Sequence, residues 1–212
     1  MFDFENNKRN LYVIIGIIVL LAIGKYWNNT GELLNLLLTL PAVLIAITFH
    51  EFAHAFAADK LGDDTPRRQG RLTLNPFAHL DPVGSLLLIF AGFGWGKPVE
   101  INPRNFNRDK SMTASEAIVA IAGPAMNLIL AVLFTFIYFA IVKIAPAFCI
   151  TQVGLVILTL IQMTIIINIG LGVFNLIPLP PLDGSKVLKL FLPVNVRDWF
   201  ERNFRIFYII FV

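Results

Sequence analysis

Apolar residues in this chain gather into long unbroken runs, not into the alternating or every-third-residue patterns of elements half exposed to water. Leu11 to Ile23 is apolar apart from Gly16 and continues to Tyr26 and Trp27, which predicts a first spanning helix with an aromatic end suited to a membrane interface. Lys8 and Arg9 ahead of it also fit the start of a signal peptide. Lys25, Tyr26 and Trp27 stand where a small-residue cleavage site would fall, so this helix is expected to stay uncleaved. Leu33 to Ala58 predicts a second helix, Ala114 to Val142 a third with a kink or early turn at Gly123-Pro124, and Val153 to Ile177 a fourth. Asn168, Gly170, Gly172 and Asn175 give the fourth the small and polar positions through which membrane helices approach one another. Pro178, Pro180 and Pro181 stop it, and from Gly184 the pattern is that of a short amphipathic helix. Phe204 to Val212 is apolar but too short to span, as an interfacial segment or the start of a further helix would be.

Residues 59–113 carry loop signals and two short alternations, Leu72-Thr73-Leu74 and Val99-Glu100-Ile101, that predict short strands. Within them Val83 to Trp95 is apolar, yet well below the roughly 20 residues a span needs, and is expected to be re-entrant or interfacial. The pattern therefore predicts an all-α polytopic membrane protein: about four transmembrane helices plus a re-entrant or short β-like cytoplasmic-side segment, forming one membrane-embedded domain over residues 1–212.

Composition supports the bilayer as solvent. Of 212 residues 57% are apolar and 15% charged, against about 45–50% and about 25% in soluble domains. A disordered chain, a disulfide scaffold and an ordinary cytosolic enzyme are excluded; Cys149 is the sole cysteine. The net charge of +3 does not point to nucleic acid, because the basic residues are placed by side of the membrane. With the N-terminus inside, four spans put 15 of the 17 Lys and Arg on the cytoplasmic side, leaving Lys25 and Lys143 outside. A multi-pass cell-membrane protein with a cytoplasmic N-terminus follows. The same topology brings the end of the second helix and the segment after the fourth to one membrane level.

That level carries the chemistry. His50-Glu51-Phe52-Ala53-His54 is an HExxH motif: residues four apart share a helix face, so both imidazoles can reach one metal while Glu51 addresses its water. Polar groups inside an apolar helix are expensive and usually functional. A catalytic zinc takes a third protein ligand, and the candidates are His79, in the loop Leu74 to Pro82, and Asp183, in Asn175-Leu176-Ile177-Pro178-Leu179-Pro180-Pro181-Leu182-Asp183-Gly184. Topology favours Asp183.

The HExxH at the end of an apolar helix, the N-x-x-P-x-P-x-x-D-G segment, and an intervening G-P-x-x-N (Gly123, Pro124, Asn127) resemble the site-2 protease family of intramembrane zinc metalloproteases, in its compact form without a PDZ domain. The resemblance runs from about Leu33 to about Leu190. It implies one zinc per chain held by His50, His54 and Asp183, with Glu51 as catalytic base and Asn175 beside the substrate carbonyl. It implies a transmembrane protein substrate as partner, beside the lipid bilayer that composition already gives and with no nucleic acid, as the placement of the basic residues indicates. A dication, one carboxylate and one hydroxide sum to zero charge, which suits a poorly solvated site. The segments at Leu72 to Leu74 or Val99 to Ile101 are candidates for clamping an unwound substrate. His79 with Asp81 is expected to form a turn or gate, Asn127 to join helices, and Cys149 to be inert. The competing readings are a catalytically silent zinc-binding membrane protein, or a pseudoprotease adaptor. Clustering of the ligands at one depth, with Glu51 intact, favours hydrolysis.

Overall fold

The computed structural model describes residues 24, 30–91, 94–203 and 206–207. The first expected helix, Leu11 to Ile23, and most of Phe204 to Val212 lie outside them. Three described helices are long and apolar enough to cross a membrane: α1 (Thr30–Lys60), α4 (Met112–Ile144) and α6 (Gln152–Asn175). Between them come α2 (Thr65–Arg68), α3 (Pro82–Ala91) and α5 (Pro146–Cys149), and after them α7 (Asp183–Lys189) and α8 (Val194–Arg202). These match the three later runs of the sequence and its short helix near Gly184. The described chain is all-α and polytopic in kind.

Local signals open α4 and α6. Ser111 accepts the Ala114 N–H at 3.2 Å to open α4, and Thr151 accepts the Gly154 N–H at 3.0 Å to open α6. Helix α6 stops before the proline run, where a cis peptide joins Pro180 to Pro181. Helices α1 and α4 run on through Pro41 and Pro124; such breaks in the hydrogen-bond ladder are tolerated in spans where neighbouring helices satisfy the freed groups.

Contacts divide the chain into two units. The first holds the described residues 24, 30–38, 80–91 and 94–96. Here the Asp81 carboxylate caps α3, accepting the Gly84 N–H at 2.8 Å, and an isolated antiparallel bridge pairs Leu80 with Gly96. At 10 residues α3 is half the length of a span.

The second unit holds the described residues 39–79, 97–203 and 206–207. Its packing is through small side chains: Ala42, Ala46, Ala53, Ala55 and Ala58 of α1, and Ala117, Ala120 and Ala131 of α4, are buried. Large ones face outward, Phe136 at 70% and Ile166 at 67% exposure. Only 17–28% of the most apolar stretch of each span is buried. In water that exposed surface would drive aggregation, whereas lipid tails are as apolar as leucine, so close backbone approach and hydrogen bonds hold such helices together. The α4–α6 pair packs most extensively and α4 also packs on α7. Buried Asp63 ties the loops at the end of α1, accepting from the Asn102 N–H at 2.6 Å and the Asn105 Nδ2 at 3.0 Å. Burial opposes its ionisation, but the hydrogen bonds from Thr65, Asn102 and Asn105 outweigh it and hold the carboxyl below its ordinary range.

The expected short strands do not form. Among the described residues no strand is present, and 72–74 and 99–101 are irregular backbone. Side chains have taken the groups a ladder would use: Glu51 accepts the Val99 N–H, Asp63 accepts the Asn102 N–H, and His79 Nε2 bonds the Thr73 carbonyl. Alternation in sequence marks a strand only where a partner strand is available.

Candidate metal centre

The C-terminal part of α1, the N-terminal half of α4, the end of α6 and the start of α7 meet at one end of the second unit. His50 and His54, one turn apart on α1, present Nε2 atoms 3.0 Å from each other. The Asp183 Oδ2 lies 3.2 Å from His50 Nε2 and 3.1 Å from His54 Nε2. All three residues are buried. Among the described residues this is the one cluster of His, Cys, Asp or Glu suited to a metal ion, and it unites the three residues the sequence singled out. His79 is not in it: fully buried, it bonds the Thr73 carbonyl at 2.8 Å. Burial, with the Arg71 cation nearby, holds its imidazole below its ordinary pKa despite that bond.

The hydrogen bonds behind the two imidazoles fix what they offer. His54 Nδ1 donates to the Val119 carbonyl at 2.7 Å. His50 Nδ1 meets Asn127 Oδ1 at 2.6 Å. The Asn127 amide nitrogen spends its two protons on the Ala46 carbonyl, 3.0 Å, and Asn168 Oδ1, 2.8 Å, so Asn127 Oδ1 can only accept and His50 Nδ1 must donate. Both neutral imidazoles therefore carry their lone pairs on Nε2, and both lone pairs face a carboxylate oxygen. Three acceptors about 3 Å apart repel unless a cation or protons lie among them. A tetrahedral zinc with bonds of 2.0–2.1 Å separates its ligands by about 3.3 Å, so the donor set and its spacing fit that metal with small adjustment.

Two glycines make room. The α4 backbone at Gly123 lies so close to the cluster that a methyl there would collide with the imidazoles of His54 and His50. Gly184 lies equally close to the Leu176 and Ile177 carbonyls, an approach that holds the start of α7, and Asp183 with it, against the end of α6. Asp183 is the first residue of α7, where the helix dipole favours a carboxylate.

Glu51, between the histidines, bonds elsewhere: its Oε2 accepts the Val99 N–H at 2.9 Å, leaving Oε1 free of that contact. Asn175 turns its Nδ2 back to the Leu171 carbonyl at 3.0 Å; among the described residues no hydrogen bond joins it to His50, His54 or Asp183. A cleft of about 310 Å³ lined by Gln69, Arg71, Lys97, Pro98 and Glu100 lies among the loops, and none of the three clustered residues lines it. Sequence reasoning gave Asn127 no place behind a histidine and missed the Val119 carbonyl and the clearance at Gly123. Its one available signal was the grouping Gly123-Pro124-Asn127 in an otherwise apolar helix.

Membrane-spanning helices that bury an HExxH beside an aspartate from a distant segment define a membrane protein of the zinc metalloprotease class. The chain belongs to peptidase family M50. The model of that family matches residues 140–212. The chain is 40% identical to "Putative zinc metalloprotease YwhC" of Bacillus subtilis over 177 residues, 80% of this chain and 78% of that protein. It is 36% identical to "Putative zinc metalloprotease Rip2" of Mycolicibacterium smegmatis over 157 residues, 72% of this chain and 56% of that protein. The Rip2 protein of Mycobacterium tuberculosis is 32% identical over 154 residues, 69% of this chain and 54% of the relative. No solved structure matches.

Proposed function

We propose that this chain is an intramembrane zinc metalloprotease of the site-2 type, cutting peptide bonds in transmembrane segments of membrane-protein substrates. In this reading residues 1–212 form one membrane-embedded domain whose N-terminus and active site lie on the cytoplasmic side. The observation that carries it is the triangle of His50 Nε2, His54 Nε2 and Asp183 Oδ2, with edges of 3.0, 3.1 and 3.2 Å, in a buried site at the end of apolar helices. These three atoms would hold one zinc. When bound, the metal polarises the substrate carbonyl and lowers the pKa of water to about 7.

The chain's own groups then do the rest. Glu51 takes a proton from water through its free Oε1 and returns it to the leaving amide nitrogen. Val119 and Asn127 keep the two imidazoles in the tautomer that leaves Nε2 free. Asn175, at the end of α6, reaches the developing oxyanion by exchanging its bond to the Leu171 carbonyl for one to substrate. A substrate helix must unwind locally, because its carbonyls are otherwise held in its own ladder.

The test separates metal binding from base chemistry. Glu51→Gln is expected to keep one zinc per chain and lose proteolysis, with the fragments of wild-type membranes absent from a proteomic comparison. His54→Ala is expected to lose both. Near-normal cleavage by Glu51→Gln would reject the mechanism.

A further inference from the structure

The Glu51 carboxylate is held by backbone from another part of the chain, and that backbone is itself held by a buried arginine. The Val99 N–H donates to Glu51 Oε2 at 2.9 Å. Two residues earlier, the Lys97 N–H donates to the His79 carbonyl at 2.8 Å. Arg71, only 5% exposed, bonds through Nη2 to the Lys97 carbonyl and through Nη1 to the Ala78 carbonyl. One guanidinium thus joins the stretch ending at His79 to the stretch beginning at Lys97, the two residues that flank 80–96 in the chain. A lysine ammonium has no planar fork with which to do this.

Burying a guanidinium against two neutral carbonyls is costly and needs a return. The two bonds tie together the ends of the 80–96 segment, and the charges of Glu51 and Glu100 offset part of the desolvation. We propose that Arg71 is a positioning residue for Glu51: by clasping the Ala78 and Lys97 carbonyls it fixes the Val99 amide, and the Val99 amide turns the Glu51 carboxylate so that Oε1 faces the metal centre. The inference deepens the protease reading and rests on it. Removal of the clasp leaves His50, His54 and Asp183 untouched, so metal binding survives. The base then rotates freely, and loss of its alignment acts on the chemical step more than on substrate binding.

The experiment uses the zinc-loaded full chain in detergent with a cleavable transmembrane substrate, comparing Arg71→Met, Arg71→Lys, Val99→Pro and the Arg71→Met/Val99→Pro double variant. Val99→Pro deletes the amide proton directly; Arg71→Lys serves where either harsher change prevents folding. Each single variant is expected to keep one zinc per chain and a KM within about two-fold of wild type, while kcat falls about 10- to 100-fold. The double variant is expected to be no slower than the slower single, because both act through one contact. Multiplicative losses, a raised KM with kcat unchanged, or loss of zinc from Arg71→Lys would overturn the proposal. An inactive Glu51→Gln beside a fully active Val99→Pro would overturn this inference alone, whereas cleavage by Glu51→Gln would remove the protease reading and this inference with it.

Discussion

Replacing Asn127 by alanine removes three hydrogen bonds at one fully buried site: to His50 Nδ1 at 2.6 Å, to the Ala46 carbonyl at 3.0 Å and to Asn168 Oδ1 at 2.8 Å. Interhelical bonds of this kind in membranes average about 0.6 kcal/mol, so their sum predicts a loss of about 2 kcal/mol in stability. The larger consequence falls on the metal. Without an acceptor at Nδ1, His50 loses both the bond that fixes its ring and the reason to keep its proton there. Orienting partners of this sort are worth about 10- to 100-fold in metal affinity, or about 1.4 to 2.7 kcal/mol. The assay is zinc competition against a chromophoric chelator in detergent, with thermal unfolding of zinc-loaded and chelator-treated protein in parallel. Asn127→Ala is expected to weaken zinc by that factor and to narrow the interval between the two unfolding temperatures, since a ligand stabilises in proportion to the logarithm of its affinity. A dissociation constant within two-fold of wild type would refute the role given to Asn127.

Gly123→Ala places a methyl against both imidazoles and is expected to cost about 100-fold or more in zinc affinity, while the same change at Gly170, where a methyl meets open space, leaves zinc binding as in wild type; chelator competition on the two variants decides it. His79 has its pKa lowered in the fold by burial, so below about pH 6.5 the unfolded chain takes up a proton first; stability then falls with pH, and His79→Gln is expected to show a shallower drop in unfolding temperature between pH 7.5 and pH 5.5 than wild type. Sidedness is checked by labelling intact cells with a membrane-impermeant thiol reagent, which is expected to reach Cys149, or a cysteine at Ala147, and not a cysteine at Asp109; the reverse pattern would invert the proposed orientation.

The spans and the grouping of His50, His54 and Asp183 were legible in the sequence for physical reasons. A helix solvated by lipid is apolar on every face, so its length shows without periodicity, and the ends of α1, α4 and α6 fall within three residues of the hydrophobic runs. His50 and His54 are legible because a helix alone brings residues four apart to one face. Asp183 needed topology as well, since 129 residues separate it from His54. What could not be seen was the set of contacts behind the two imidazoles. Asn127 lies 77 residues from His50, and no local pattern reports that its amide completes an imidazole's hydrogen bonding. Gly123 suggested a kink beside Pro124; its use is clearance for two rings. At Val99-Glu100-Ile101 the alternation was misleading, because the Val99 amide serves the Glu51 carboxylate instead of a neighbouring strand.

The decisive measurement is zinc stoichiometry by elemental analysis of purified Asp183→Ala beside His79→Ala. Three protein ligands leave one tetrahedral position for water, and a carboxylate as the third neutralises the buried centre as an imidazole would not. Asp183 Oδ2 stands 3.1–3.2 Å from both Nε2 atoms, whereas His79 is bonded to the Thr73 carbonyl. Asp183→Ala is therefore expected to fall well below one zinc per chain and to lose cleavage, with His79→Ala retaining a full zinc. Full occupancy in Asp183→Ala together with loss in His79→Ala would contradict the assignment and give the third ligand to the loop.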